Sequence, residues 1–218
     1  IPTITLKKET PKEAVCQVFE RVNTGGVPLN VFELLTAMYA SDNFNLRDDW
    51  AVKEKRIIKP IINEKTGVLK DIENTDYLQT VALIVSYRRK YLAIQNGIPH
   101  EQSPAIGCKR KDILGLGLEE YLTASEDATK GYERAAKFLT GQNIFSSRDV
   151  PYAKQIVPLA AIFAILGDKA DEEGVKSCIT KWFWCGILGE KYGSAIEGTF
   201  AKDVPEVIDW IRDGQEPT

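Results

Sequence analysis

Apolar residues recur at helical spacing along most of the chain and predict a mainly α fold. The clearest pattern is TDYLQTVALIVSYRRKYLAIQNG at 75–97, whose middle is apolar on every side and indicates a central buried helix. Similar patterns predict helices over 10–23, 31–40, 50–63, 119–139, 157–166, 175–188 and 203–212, with Ser125 and Asp203 as helix starts. These segments predict a helical bundle of about eight helices.

Only residues 2–6 read as a strand, because Ile4 and Leu6 alternate with Thr3 and Thr5. A lone strand is not stable by itself, so we expect it to pair with strands upstream of Ile1 or with a second copy of the chain. The polar segment 41–49 is the expected boundary between two lobes, and 97–117 is expected to be a loop.

The segment FERVNTGGVPLNVFEL at 19–34 predicts a corner between two helices. The pair Gly25-Gly26 ends the first helix, and Asn30 with Glu33 predicts a capping box at the start of the second. Bare backbone N–H groups beside Arg21 can hold an anion such as phosphate. The alternative is an ordinary helical corner with a solvated Arg21, and spacing alone favours it.

Basic residues cluster at three places and are candidate phosphate contacts. The candidate DNA-contacting residues are Lys53, Lys55, Arg56, Lys59, Lys109, Arg110 and Lys111; the third cluster, Arg88 to Lys90, suits a helix C-terminus. For the cluster at 53–59 the alternative is a solvated face. For 88–90 the structural role at the helix end is favoured over contact with DNA. A net charge of −3 argues against a non-specific nucleic-acid binder.

The number and spacing of cysteine and histidine residues limit the metal sites and catalytic groups that the chain can form. Cys16, Cys108, Cys178 and Cys185 form no CxxC pair, so buried, reduced thiols of a cytoplasmic protein are expected. His100, the only histidine, lies in a Pro-rich loop and cannot complete a zinc set or a catalytic triad. We therefore predict no catalytic residue and no metal site, and the absence of a long apolar run predicts no membrane partner.

The aromatic run Trp182-Phe183-Trp184 allows two interpretations. Such rings usually pack in a core because each buries a large area, and packing is the favoured prediction. A platform for stacking nucleic-acid bases is the alternative.

The 19–34 segment resembles the Phe-x-Arg-x-Asn-x-x-Gly signature, followed by Leu and Glu, of the GmrSD restriction endonuclease N-terminal domain family, which is related to ParB/sulfiredoxin-like folds. RDVPYAKQIVPLAAIF at 148–163 and KWFWCGILGEKYGSAIEGTFAKDV at 181–204 are similar to it too, so the likeness covers nearly the whole chain. The family's Asp-Gly-Gln-Gln-Arg motif is missing from residues 1–218. The resemblance implies the C-terminal helical portion of a ParB-like α+β domain, with 1–45 as the remnant of its core and 46–218 as a helical subdomain.

The resemblance also implies a function. The parent protein would be a nucleotide-dependent, modification-dependent restriction protein that defends a prokaryote against phage DNA. The implied phosphate or nucleotide-binding residues are Arg21, Asn23, Thr24, Gly25 and Gly26. The chain itself is expected to hold no cofactor; the parent would use an NTP with Mg²⁺, and its partners would be a nuclease domain and DNA. The alternative is a non-catalytic helical module that binds another protein.

Overall fold

A computed structural model describes residues 29–58, 67–193 and 196–214, and the mainly α fold is confirmed there. The described residues form eight α-helices: α1 (Val31–Ala40), α2 (Leu46–Ile58), α3 (Asn74–Gln95), α4 (Arg110–Leu114), α5 (Leu118–Gly141), α6 (Ile156–Leu166), α7 (Glu173–Leu188) and α8 (Ile196–Asp213). Single 3-10 turns lie at His100–Gln102, Ser147–Asp149, Ala153–Gln155 and Gly167–Asp171. The predicted strand 2–6 and helix 10–23 lie outside the described residues.

The predicted central helix is confirmed as α3. Every residue from Asp76 to Tyr87 is buried, because α5 and α6 pack on α3 and on each other while α8 closes another side. Helix α6 is almost as enclosed, as its apolar sequence IVPLAAIFAIL predicts. Among the described helices, none combines the length and the apolar character that crossing a membrane would need.

Helices α5 and α6 make the closest contact of the bundle at Gly131. A Cβ atom built on Gly131 would lie 2.2 Å from the carbonyl oxygen of Ala160, well inside van der Waals contact. Only glycine therefore permits this approach of the two backbones.

Three buried hydroxyl groups between α3 and α5 have hydrogen-bond partners. The Tyr77 hydroxyl donates to the carbonyl of Ser125, and the Tyr132 hydroxyl donates to the carbonyl of Asp76 over 3.2 Å. The Thr80 hydroxyl lies 2.8 Å from that of Tyr132. These bonds tie α3 to α5, since buried hydroxyl groups are costly without partners.

Helix α2 begins earlier than the sequence predicts, and the polar segment 41–49 is not a linker throughout. Asn45 Oδ1 accepts the backbone N–H groups of Arg47 and Asp48 at 3.1 and 3.3 Å and so starts the helix. Leu46 is fully buried and anchors this first turn. Helices α1 and α2 join the same hydrophobic core as the later helices, and the division into 1–45 and 46–218 stays a prediction.

The predicted cap at Ser125 is wrong. Helix α5 already begins at Leu118, where the Glu120 carboxylate accepts the N–H of Gly117 at 3.0 Å. Ser125 lies inside the helix, and its hydroxyl donates to the carbonyl of Leu122. A serine inside a helix can bond back to the preceding turn, so its presence alone does not mark a helix start.

The last helix also begins earlier than predicted, at Ile196, which places Asp203 and Pro205 inside it. Phe200 and Val204 are fully buried and extend the apolar stripe upstream of the proline. Burial of this stripe outweighs the tendency of proline to mark a helix start. The predicted loop 97–117 likewise contains helix α4.

Alkaline pH should unfold the protein because its buried tyrosines resist ionisation. Burial is the main factor that raises the pKa of Tyr39, Tyr77, Tyr121, Tyr132 and Tyr192. A raised folded-state pKa gives stability that is complete below the unfolded value of about 10 and is lost above it, by up to about 1.4 kcal/mol per pH unit for each tyrosine.

Urea unfolding at pH 8 and at pH 11 measures the decrease in the free energy of unfolding. The absorbance of tyrosinate in the folded protein, recorded over the same pH range, reports which tyrosines ionise. Buried tyrosines that ionise near pH 10 in the folded protein, without loss of stability, would contradict the prediction.

Candidate functional site

The proposed anion turn lies next to the described residues, not within them. Arg21, Asn23, Thr24, Gly25 and Gly26 all precede Leu29, where the description begins. The helix that follows these residues along the chain, α1, is described from its cap onward.

The predicted capping box at the start of α1 is confirmed. Asn30 Oδ1 accepts the backbone N–H of Glu33 at 2.9 Å, and Glu33 Oε2 accepts the N–H of Asn30 at 3.0 Å. Glu33 therefore acts as a cap, as its spacing from Asn30 predicts. Its carboxylate also offsets part of the positive potential at this helix end.

Helix α1 is anchored through its C-terminal turn. The Tyr39 hydroxyl donates to the carbonyl of Leu116 at 3.2 Å, just before α5. The Tyr39 ring packs against Tyr121 of α5 and Phe44, with centroid distances of 5.5 and 6.0 Å. Because Leu35 is also fully buried, α1 cannot move independently of α5 without exposing apolar surface.

The first basic cluster is divided between paired and exposed residues. Lys53 lies 2.7 Å from Asp49 of its own helix. Arg56 reaches α5 and pairs with Glu126 and Glu133, each at 2.7 Å, and its hydrogen bonds to these two carboxylates raise its pKa. Lys55 is exposed, and Lys59 lies outside the described residues.

The cluster at the end of α3 also pairs with acids of α5, different ones from those that Arg56 binds. Arg88 lies 2.6 Å from Asp127, and Arg89 pairs with Glu120. Lys90 instead donates to the Ser103 hydroxyl at 2.9 Å. This agrees with a structural role for 88–90.

The cluster Lys109, Arg110 and Lys111 lies where α4 begins, and all three residues are exposed. The backbone N–H of Lys109 donates to Asp112 at 2.9 Å, which caps this short helix. Neither Lys109 nor Lys111 shares a side-chain partner with Lys53 or Arg56 among the described residues.

The aromatic run of α7 packs inside the protein, as predicted. Trp182 and Phe183 are buried, and Phe183 meets Phe138 of α5 edge-on at 5.6 Å. Trp184 is half-buried, and its indole N–H donates to Gln142 at 2.9 Å.

A buried polar cluster joins the segments 148–163 and 181–204. The Tyr192 hydroxyl donates to Asp203, whose carboxylate is 1% exposed. Lys191 Nζ lies 2.6 Å from the other oxygen of Asp203. Burial, followed by the charge of Asp203, raises the pKa of Tyr192 and keeps it a hydrogen-bond donor.

Gln155 connects this cluster to the neighbouring stretch. Its side-chain amide donates to the carbonyl of Phe183 at 3.0 Å, and it packs beside Tyr192 at Gly186. A Cβ atom at Gly186 would lie 2.9 Å from the Tyr192 ring, so glycine makes room for the tyrosine. The segments 148–163 and 181–204 therefore meet in space.

A second buried carboxylate, that of Asp76, is connected to this cluster through its lysine partner. Asp76, at the start of α3, lies 2.6 Å from Lys154, the residue before Gln155. Both buried acids thus have a lysine partner, and loss of either lysine would leave an uncompensated charge in the protein.

The side chains of this cluster are suited to holding helices and loops in place, and less to catalysing a reaction. Its tyrosine stays protonated, and its two carboxylates already have cationic partners. The described part of the chain holds no group of three or more His, Cys, Asp or Glu residues that could bind a metal ion.

The cysteines within the described residues are free thiols, and the expectation that all are buried is only partly right. Cys108 is buried, and burial raises its pKa to about 12. Cys178 is half-buried, while Cys185 is exposed because it lies on the outer face of α7. Cys16 lies outside the described residues. His100 is exposed, as predicted, within a 3-10 turn.

Sequence reasoning missed Lys191, Asp203 and Gln155 as members of one cluster. Asp203 looked like a helix cap because it precedes Val204-Pro205. An acid inside the apolar stripe of α8 is the signal that could have identified it, since a buried acid needs a partner.

No family model and no solved structure matches the chain. The chain is similar to the uncharacterized protein MJ0686 of Methanocaldococcus jannaschii, at 23% identity over 231 residues covering 99% of this chain. The chain spans 34% of the length of that protein, about a third. The match identifies a relative and assigns no activity.

The variant Tyr192→Phe tests the buried cluster. It removes the donor to Asp203 and should lower the free energy of unfolding by about 1–3 kcal/mol, since a buried carboxylate loses a bond. The matched control is Tyr91→Phe, because the Tyr91 side chain is exposed and its hydroxyl forms no hydrogen bond within the described residues. Chemical denaturation of both variants measures the difference; equal stabilities would show that the bond does not stabilise the fold.

Proposed function

We propose that this chain is the helical supporting part of a nucleotide-dependent, modification-dependent restriction protein active in phage defence. The residues proposed to contact an NTP phosphate are Arg21, Asn23, Thr24, Gly25 and Gly26. The observation that carries the proposal is the anchoring of α1, the helix that follows this turn, in the core of the bundle. The activity class comes from the resemblance of 19–34 to the GmrSD family.

A rigid base matters for a phosphate-binding turn. A binding loop that is ordered before its ligand arrives loses less conformational entropy on binding. Only Val27 and Pro28 separate the turn from Leu29, and the capping box begins at Asn30. Helix α1 then buries Leu35 and Tyr39, so one end of the turn is held by the core.

The negative charge of Glu33 at the N-terminus of α1 means that a phosphate bound at the proposed turn needs a source of positive charge. The Glu33 carboxylate lies at the N-terminus of α1 and repels an anion there. A phosphate at the turn therefore depends on the guanidinium of Arg21 and on Mg²⁺ to offset this charge. On this proposal Arg21 is essential for binding and not merely helpful.

Hydrolysis and DNA cleavage belong elsewhere in this proposal. The described residues offer no metal-binding acid cluster. We assign hydrolysis to the family's Asp-Gly-Gln-Gln-Arg motif and cleavage to a separate nuclease domain. The archaeal relative is about three times as long as the matched segment.

The second candidate function is a non-catalytic module that binds another protein. Two apolar side chains, Leu92 on α3 and Leu122 on α5, are 58% and 45% exposed. Arg88 and Arg89 nearby are already paired with α5, which leaves them less available for nucleic acid. On this candidate function, a protein partner would cover these two side chains.

Direct DNA contact remains a narrower proposal. Lys55, Lys109 and Lys111 form no ion pair within the described residues, whereas Lys53 and Arg56 do. If these lysines neutralise phosphates, DNA affinity should fall steeply as salt rises.

Nucleotide titration separates the first two functions. GTP or ATP with Mg²⁺ should raise the melting temperature of the chain, because a ligand bound only to the folded state stabilises it. The variant Arg21→Ala should abolish the shift. The control Arg47→Ala removes an exposed arginine on α2 and should leave the shift unchanged. Identical shifts in all three proteins would remove Arg21 from the site, and the absence of any shift would favour the interaction module.

A further inference from the structure

A cavity of about 540 Å³ lies between α5, α7 and the 3-10 turn Gly167–Asp171, in a part of the protein that the proposed function does not use. Ligand sites for small molecules typically have this size. One wall is apolar and the rim is charged, so the cavity offers two different kinds of contact.

Two lysines on opposite walls are available to bind an anion. Lys137 of α5 and Lys176 of α7 line the cavity, and their ammonium groups form no ion pair or hydrogen bond with the described residues. Arg134 lines it too, but its guanidinium is committed to the carbonyl of Gly167 and to Asp168 at 2.6 Å. Arg134 therefore shapes the wall, and the two lysines supply the binding charge.

The charge balance of the cavity limits how negative a ligand can be. Asp171 and Glu173 also line the cavity, and Arg134 is already paired with Asp168. The three cations are therefore balanced by three carboxylates, and only Lys137 and Lys176 are left to meet an anion. Asp171 lies 3.5 Å from Arg134, whereas Glu173 forms no ion pair within the described residues. This balance suits a single phosphate group and disfavours a triphosphate.

The apolar wall suits a flat ring. Phe138 and Phe163 form a corner, with ring centroids 5.7 Å apart and planes inclined by 57°. A planar aromatic group can pack against one ring and edge-on to the other. Ser177 and Thr180 of α7 add hydroxyl groups that have no hydrogen-bond partner within the described residues.

We propose that this cavity binds a phosphate monoester of a flat aromatic group, the chemistry of a nucleoside monophosphate. Lys137 and Lys176 bind the phosphate, and the Phe138–Phe163 corner packs against the base. The proposed site uses none of the residues at 21–26, and it differs from the proposed turn in preferring a monophosphate to an NTP.

Calorimetric titration of the full chain with adenosine monophosphate tests the proposal. Adenosine lacks the phosphate, inorganic phosphate lacks the ring, and ATP carries excess charge, so each should bind more weakly than the monophosphate. Lys137→Ala and Lys176→Ala should each weaken monophosphate binding by at least about tenfold, the effect of losing one charge-assisted hydrogen bond. The control Lys130→Ala, at an exposed position of α5 that does not line the cavity, should bind like the wild type.

A further variant tests whether loss of binding comes from the cavity itself and not from a loss of folding. Ser177→Trp fills the cavity from an exposed position, so it should abolish binding while the melting temperature stays close to that of the wild type. The proposal is overturned if the monophosphate does not bind, if inorganic phosphate binds equally well, or if the lysine variants bind normally. Loss of monophosphate binding in Arg21→Ala, with both lysine variants unaffected, would move the nucleotide to the turn and would also overturn it.

Discussion

The bundle depends on the complete burial of one helix. Because α3 has no solvent-facing side between Asp76 and Tyr87, its hydroxyl groups and its one acid must find partners inside the protein. Tyr77 and Thr80 find theirs on α5 and α6, and Asp76 finds Lys154 beside α6. These bonds allow few alternative placements of the three helices, whereas apolar contacts alone would allow several.

Charge is used in this protein largely to assemble its own helices. The acids of α5 face outward from the core, and basic residues of α2 and α3 reach across to them, as Arg56 and Arg88 do. Basic clusters that look available for phosphate in the sequence are therefore partly neutralised in the fold. Other exposed lysines lie on α2, α4, α5 and α7. Two of them, Lys137 and Lys176, line the α5–α7 cavity beside its apolar wall.

The sequence predicts those features that depend on neighbours along the chain. Helices α3 and α6 follow from their apolar runs, and the Asn30–Glu33 box follows from a spacing of three residues. Ser125 and Asp203 were misassigned because a helix cap and a buried polar residue look alike without tertiary partners. The Tyr192–Asp203–Lys191 cluster and the α5–α7 cavity depend on packing between distant segments, which periodicity does not reveal. The residues of the anion turn were proposed from sequence, and their placement remains a prediction.

The proposed phosphate-binding turn requires that α1, the helix that follows it, be held firmly in the core. Amide hydrogen exchange measures whether α1 opens by itself or only together with the whole protein. Helix α1 is held by Leu35, by Tyr39 and by the bond to Leu116, and it therefore belongs to the cooperative core. The amides of 35–39 should exchange as slowly as those of 81–85 in α3, with both sets opening only on global unfolding. Exchange of α1 many times faster than that of α3 under the same conditions would show that the helix opens by itself and cannot serve as a rigid base for the turn.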